Sequence, residues 1–75
     1  MRRFPVRQRA IVAALREVRI EADLSQRQLA AKLKEPVNLI QRIEALERDV
    51  TVAEFVEIAK TLGVDPVELL RRALR

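Results

Sequence analysis

Leu24-Ser25-Gln26-Arg27-Gln28-Leu29-Ala30-Ala31-Lys32-Leu33-Lys34-Glu35-Pro36-Val37-Asn38-Leu39-Ile40 starts one helix, stops it and starts another, and its reading decides the fold. Ser25 and Gln28 have capping-box spacing: the hydroxyl accepts a first-turn N–H while the Gln side chain reaches back to the Ser backbone. Helix two is therefore expected over Gln26–Leu33. Lys34-Glu35-Pro36 interrupts it, because proline biases the preceding residue away from helix and itself suits the first position of a new one. Helix three is expected from Pro36 to about Leu46. Within it Ile40 and Ile43, three apart, face inward, and Ala30 is small where the two helices cross closely.

Upstream, Ile11, Leu15, Val18 and Ala22 fall at helical spacing and predict helix one from Pro5 to about Ala22. Downstream, Thr51 and Glu54 repeat the capping box. Val52, Phe55, Ala59 and Leu62 then form an apolar stripe that stops at Gly63, a residue suited to a left-handed helix end. Asp65-Pro66-Val67-Glu68 supplies an N-cap, a first-turn proline and an acid near the positive end of the helix dipole, opening helix five through Leu69, Leu70 and Leu74. The expected fold class is all-α, a compact five-helix bundle forming one domain over residues 1–75, with residues 1–4 as a candidate basic arm.

Composition agrees with that reading. Seventy-five residues, 49% hydrophobic and 35% charged, can build one small core, and a single glycine among many strong helix formers leaves no need for strands. With no Cys, neither a disulfide nor a thiolate metal site is available, and the chain fits a reducing cytosol. No apolar run approaches the ~20 residues that span a bilayer, so the expectation is a soluble, unprocessed, cytoplasmic protein without a membrane partner. The chain has no His, Cys or Tyr, and its one Ser is a cap. No catalytic residue, metal site, cofactor or small-molecule substrate is expected, and an enzyme is the weakest reading. The net charge of +4 is unevenly spread: residues 1–10 carry four Arg and no acid, and residues 35–68 carry eight acids against three bases. A basic N-terminal segment suits phosphates or an anionic membrane, and charge alone does not choose between them.

The run Leu24 to Leu33, followed by Ile40, Arg42-Ile43-Glu44, Glu54-Phe55 and Leu62-Gly63-Val64-Asp65-Pro66, resembles the Cro/phage-repressor type of helix-turn-helix, the lambda-repressor-like domain, over about residues 11–70. The resemblance implies a transcription-regulator type of domain that binds double-stranded DNA sequence-specifically through the major groove, at the nucleoid. It places Pro36, Val37, Asn38, Gln41 and Arg42 on the exposed front of helix three as base-contacting candidates. Asn38 or Gln41 would pair with adenine, Arg42 with guanine or a phosphate, and Val37 with a thymine methyl. It makes Gln26 and Arg27 phosphate-contacting candidates at the start of helix two. Arg48, after helix three, is a candidate for the same backbone from the other side; ordinary solvated surface is the alternative for Arg48 and for Gln26. It also implies an ion pair between Arg19 and Glu44. Arg2, Arg3, Arg7 and Arg9 are either an arm along phosphates or a solvated tail and first turn. Members of the family bind as two-fold dimers; here Leu70 and Leu74 are a candidate homodimer surface, or else pack within the chain.

The sequence departs from the family pattern in three places. Lys34 stands where a turn glycine is usual; a left-handed backbone there costs a non-Gly residue about 1 to 2 kcal/mol, so either the turn differs or the strain is tolerated. Leu46 replaces a second glycine, which predicts that helix three runs on for several residues before Thr51. Val37, Leu39 and Leu46 also make the outer side of helix three unusually apolar. That supports the alternative of a protein-interaction module, antitoxin-like or adaptor, using this surface. Few glycines and repeated caps are, in addition, features a redesigned family member would show.

Overall fold

Among the described residues, three helices begin where the sequence supplies a side-chain partner for a first-turn N–H group, and the other two begin directly after a proline. The computed structural model describes residues 5–75, which form α1 (Val6–Glu21), α2 (Gln26–Leu33), α3 (Val37–Glu44), α4 (Val52–Thr61) and α5 (Pro66–Ala73). At α2 the Gln28 N–H donates to Ser25 Oγ at 3.0 Å and the Ser25 N–H donates to Gln28 Oε1 at 2.8 Å, a complete capping box. Thr51 and Glu54 do the same for α4, at 3.1 and 2.9 Å. Asp65 Oδ1 accepts the Val67 N–H at 3.0 Å, with Pro66 opening α5. The prolines Pro5 and Pro36 have extended backbones and stand just outside α1 and α3. Each was expected inside its helix, so those two starts move by one residue.

The ends of α1, α2, α3 and α4 share a single device. After α1, the Leu24 N–H donates to the Arg19 carbonyl and the Asp23 N–H to that of Ile20. The same pair of bonds recurs at Glu35→Ala30 with Lys34→Ala31, at Glu47→Arg42 with Leu46→Ile43, and at Val64→Ala59 with Gly63→Lys60. These are Schellman motifs, and each requires a left-handed residue just past the helix. Gly63 supplies it after α4, with φ of 79°, while Asp23, Lys34 and Leu46 hold φ near 60° without being glycine. Helix three therefore does not run on. It stops at Glu44, because Leu46 takes the left-handed conformation for which the family uses glycine.

Lys34→Gly is accordingly expected to stabilise the protein by about 0.5 to 1 kcal/mol in urea unfolding. Lys34 is exposed, so the substitution relieves roughly 1 to 2 kcal/mol of left-handed strain against roughly 0.4 to 1 kcal/mol of added unfolded-chain freedom. Leu46→Gly gives no such gain, because Leu46 is half-buried against the core and its lost packing offsets the relief. A lowered urea midpoint for Lys34→Gly would contradict the strain argument.

α1 packs chiefly on α5 and α2 chiefly on α3, while α4 lies against α1, α2 and α5. Val12, Leu15 and Val18 of α1, Leu29 and Ala30 of α2, Ile40 and Ile43 of α3, Phe55 and Ile58 of α4 and Leu69 of α5 meet in one core. Two positions expected on apolar stripes lie outside it. Ala22 follows the last turn of α1, and Val52, the first residue of α4, is 82% exposed. Ile58, nearly two turns further along α4, points inward. Among the described residues, no helix is long and apolar enough to cross a membrane.

Candidate nucleic-acid interface

α3 turns two unlike faces to its surroundings. Ile40 and Ile43 are each 2% exposed and lock the helix onto the core. Asn38, Gln41 and Arg42, at i, i+3 and i+4, share one exposed stripe, and Pro36 is exposed at its head. Val37 is half-buried at the edge of that stripe. The apolar outer surface anticipated from Val37, Leu39 and Leu46 is corrected here: all three are half-buried and pack against the core. Sequence pattern alone makes these residues look outward, but each is partly buried against the core cluster. What α3 leaves to solvent is an amide pair and a guanidinium.

The base of α3 is fixed by charge. Glu44 carries only 7% side-chain exposure and Arg19 only 10%. Arg19 Nε donates to Glu44 Oε2 at 2.6 Å and Nη2 to Oε1 at 2.9 Å, a bidentate pair linking α1 to α3. Its Nη1 donates to the Leu24 carbonyl at 2.7 Å, tying the α1–α2 turn to the same guanidinium. Gln26 adds α2: its Nε2 donates to Glu44 Oε1 at 2.9 Å. Arg16 Nε lies 3.8 Å from that oxygen, with 59% of its side chain exposed. Three helices thus converge on one carboxylate. No buried side-chain nitrogen or oxygen among the described residues lacks a hydrogen-bond partner, so the junction is a complete polar network and a rigid support for α3.

The backbone-contact candidates fare unequally. Arg27 is exposed at the start of α2, beside N–H groups that precede the first intrahelical bond and favour an anion. The Gln26 side chain is engaged by Glu44, an interaction between residues eighteen apart that local patterns do not announce. Arg48 donates Nη1 to Glu54 Oε1 at 2.8 Å, Nη2 to Oε2 at 2.7 Å, and Nη1 also to the Asp49 carbonyl at 2.9 Å. The guanidinium fork that would grip a phosphate is occupied by a carboxylate, so Arg48 acts as a clasp for the α3–α4 loop. Gln8 Nε2 holds the same loop from α1 through Asp49 Oδ1 at 2.8 Å. Arg7 and Arg9 are exposed in the first turns of α1 and belong to the helix rather than to an arm. Arg2 and Arg3 lie outside the described residues.

The hydrogen bonds from Arg48 pull the Glu54 carboxyl from its ordinary 4.5 down to about 2, with the Thr51 N–H assisting and burial opposing. Because the folded state favours the charged form, this contribution to stability is complete above pH ~4.5 and is lost as pH falls towards ~2. Glu54→Gln keeps the capping box but removes the charge. At neutral pH it is expected to cost on the order of 1 to 2 kcal/mol, allowing for screening at a quarter-exposed side chain. It is also expected to flatten the acid limb of a stability–pH curve from urea unfolding. An acid limb as steep as the parent's would contradict this assignment.

Residues 15–69 match the helix-turn-helix family model. The fold is similar to that of an XRE-family like protein from Pseudomonas syringae pv. tomato str. DC3000, with a TM-score of 0.86 and 34% sequence identity, over 91% of this chain and 83% of that one. No curated protein matches the sequence significantly.

Proposed function

The chain belongs to the Cro/repressor-type helix-turn-helix family, whose domains are DNA-binding regulators rather than enzymes, and from that premise we propose that it reads a short duplex site through the major groove with α3. The observation that carries the reading is the exposed stripe of Asn38, Gln41 and Arg42, set on a helix whose opposite side is locked by Ile40, Ile43 and Glu44. Amide and guanidinium side chains are those that pair bidentately with adenine and guanine edges, and a rigid mount holds them in register. Arg27 serves the adjacent backbone, and Arg42 has a phosphate as its alternative partner. The rival reading, a protein-interaction module built on an apolar α3, loses its support with the half-buried Val37, Leu39 and Leu46.

A second copy of the chain is part of the proposal. Val67 and Leu70 on α5 and Leu74 just past its end are 60%, 38% and 52% exposed. Leu70 also borders a groove of about 340 Å³ lined by Pro5, Ile11, Val50, Val52 and Phe55. An apolar surface on the last helix suits a two-fold contact that presents two reading helices to half-sites about one turn, ~34 Å, apart.

The test is binding of the whole chain to a random duplex library, followed by anisotropy titration of the enriched site from 50 to 200 mM salt. Enrichment of a defined site, with affinity falling steeply as salt rises, is expected, and sedimentation with that duplex should give two chains per site. Salt-insensitive association with no sequence enrichment would refute the assignment.

A further inference from the structure

We infer that Arg16, on α1, is a phosphate-contacting residue of this domain, held at the edge of the reading surface by Glu44; the inference rests on the DNA-binding reading above. A guanidinium has five N–H donors and no way to lose its charge. Among the described residues, the other surface arginines with an ion pair have their donors matched to an acid. Arg48 is paired with Glu54, Arg71 Nη1 lies 2.8 Å from Glu68, and Arg72 Nη2 lies 3.0 Å from Glu17 and 3.4 Å from Glu21. Each of those three makes a hydrogen bond to its carboxylate.

Arg16 differs. It lies within ion-pair range of Glu44 Oε1, but that oxygen already accepts hydrogen bonds from Arg19 Nη2 and Gln26 Nε2, and the Arg16 Nε stands off at 3.8 Å. The Glu44 charge is likewise matched by Arg19, so the three ionic groups together carry one surplus positive charge, and it resides on the exposed member. Arg16 is thereby steered by the field of the carboxylate while its donors remain unspent.

Its position follows from the same contact. Glu44 is one helical turn beyond Gln41 on α3, and Gln26 is the first residue of α2. A cation resting on Glu44 therefore flanks the stripe of Asn38, Gln41 and Arg42 on the side where α2 begins. In the binding mode proposed above, a duplex whose base edges meet that stripe brings its sugar-phosphate backbone to this flank. Arg16 thus supplies the charge that the amide of Gln26 lacks. The contact is to backbone, so it adds affinity without choosing sequence.

The experiment compares the parent chain, Arg16→Gln, Arg16→Lys and Arg72→Gln on the enriched duplex and on an unrelated one, by anisotropy between 50 and 200 mM salt, with thermal unfolding alongside. Losing one phosphate contact lowers the slope of log K against log salt by about 0.9, so over this range the parent should lose about threefold more affinity than Arg16→Gln. Arg16→Gln is expected to weaken both duplexes by a similar factor with the unfolding midpoint unchanged. Arg16→Lys should keep the parent slope, as should Arg72→Gln, which loses a cation already matched to acids. An Arg16→Gln slope equal to the parent's overturns the inference, whether or not the midpoint falls, and leaves the DNA-binding reading standing. A parent that shows no salt-dependent duplex binding overturns that reading itself.

Discussion

Glu44→Ala is expected to destabilise the protein by about 3 to 5 kcal/mol, read as a fall in the urea midpoint at neutral pH. The reason is not the loss of an attraction but the charge left behind. Arg19 has 10% side-chain exposure and directs three nitrogens at acceptors, two of them on Glu44. With the carboxylate gone, a guanidinium stays in a poorly solvated site with only the Leu24 carbonyl, and such broken pairs cost several kcal/mol. A domain of this length has a total stability of roughly 4 to 11 kcal/mol, at about 0.05 to 0.15 kcal/mol per residue. The single substitution therefore removes a large share of it. The Gln26 amide also loses its acceptor, so the start of α2 and the end of α3 loosen together. Replacing both partners by apolar residues of similar volume, Arg19→Met with Glu44→Leu, should recover most of the loss, because no charge is then stranded. A loss below about 1 kcal/mol for Glu44→Ala, typical of an exposed pair, would show that water reaches the junction.

The parts of this fold that were legible in the sequence are those encoded within a few residues. Ser25 with Gln28, Thr51 with Glu54 and Asp65 with Pro66 mark three helix starts, because a cap needs only its own first turn. Helix ends were less legible. Lys34 and Leu46 adopt left-handed backbones that their residue types do not advertise, so the sequence pattern carries the expected end of α3 past Glu44, where the structure stops it. The paired backbone bonds of the Schellman motifs, together with the packing of Leu46 against the core, hold conformations that single-residue preference disfavours. The inward positions Ile40 and Ile43 follow from periodicity, but the cover over Val37, Leu39 and Leu46 depends on neighbouring segments that one helix's pattern does not contain. The family resemblance implies only the Arg19 partner of the Glu44 junction. Gln26 and Arg16 join it through contacts between helices one, two and three that only the folded chain displays. Arg48 shows a different gap: in the sequence it reads as a lone cation after a helix, whereas in the fold its guanidinium pairs with Glu54, the capping acid of the next helix six residues on.

Asn38→Ala and Arg42→Ala are each expected to weaken binding to the enriched duplex by about 1 to 3 kcal/mol, roughly five- to two-hundredfold in Kd, with little change in fold stability. Both side chains are exposed and neither contributes to the core, so their removal leaves no cavity and no stranded polar group. The two substitutions should nevertheless differ in kind. Asn38 carries no charge, so Asn38→Ala should relax the preference at one base pair and leave the salt slope unaltered. Arg42 has two available partners, and the experiment separates them. If its fork lies on a guanine edge, Arg42→Ala loses discrimination at that pair. If it lies on a phosphate, all duplexes weaken alike and the slope falls by about 0.9. Because Ile40 and Ile43 hold α3 from behind, the alanine variants keep the helix in place and the loss reports the contact itself. Wild-type affinity and selectivity in both variants, in a chain that still binds the site, would mean that a surface other than the outward stripe of α3 reads the DNA.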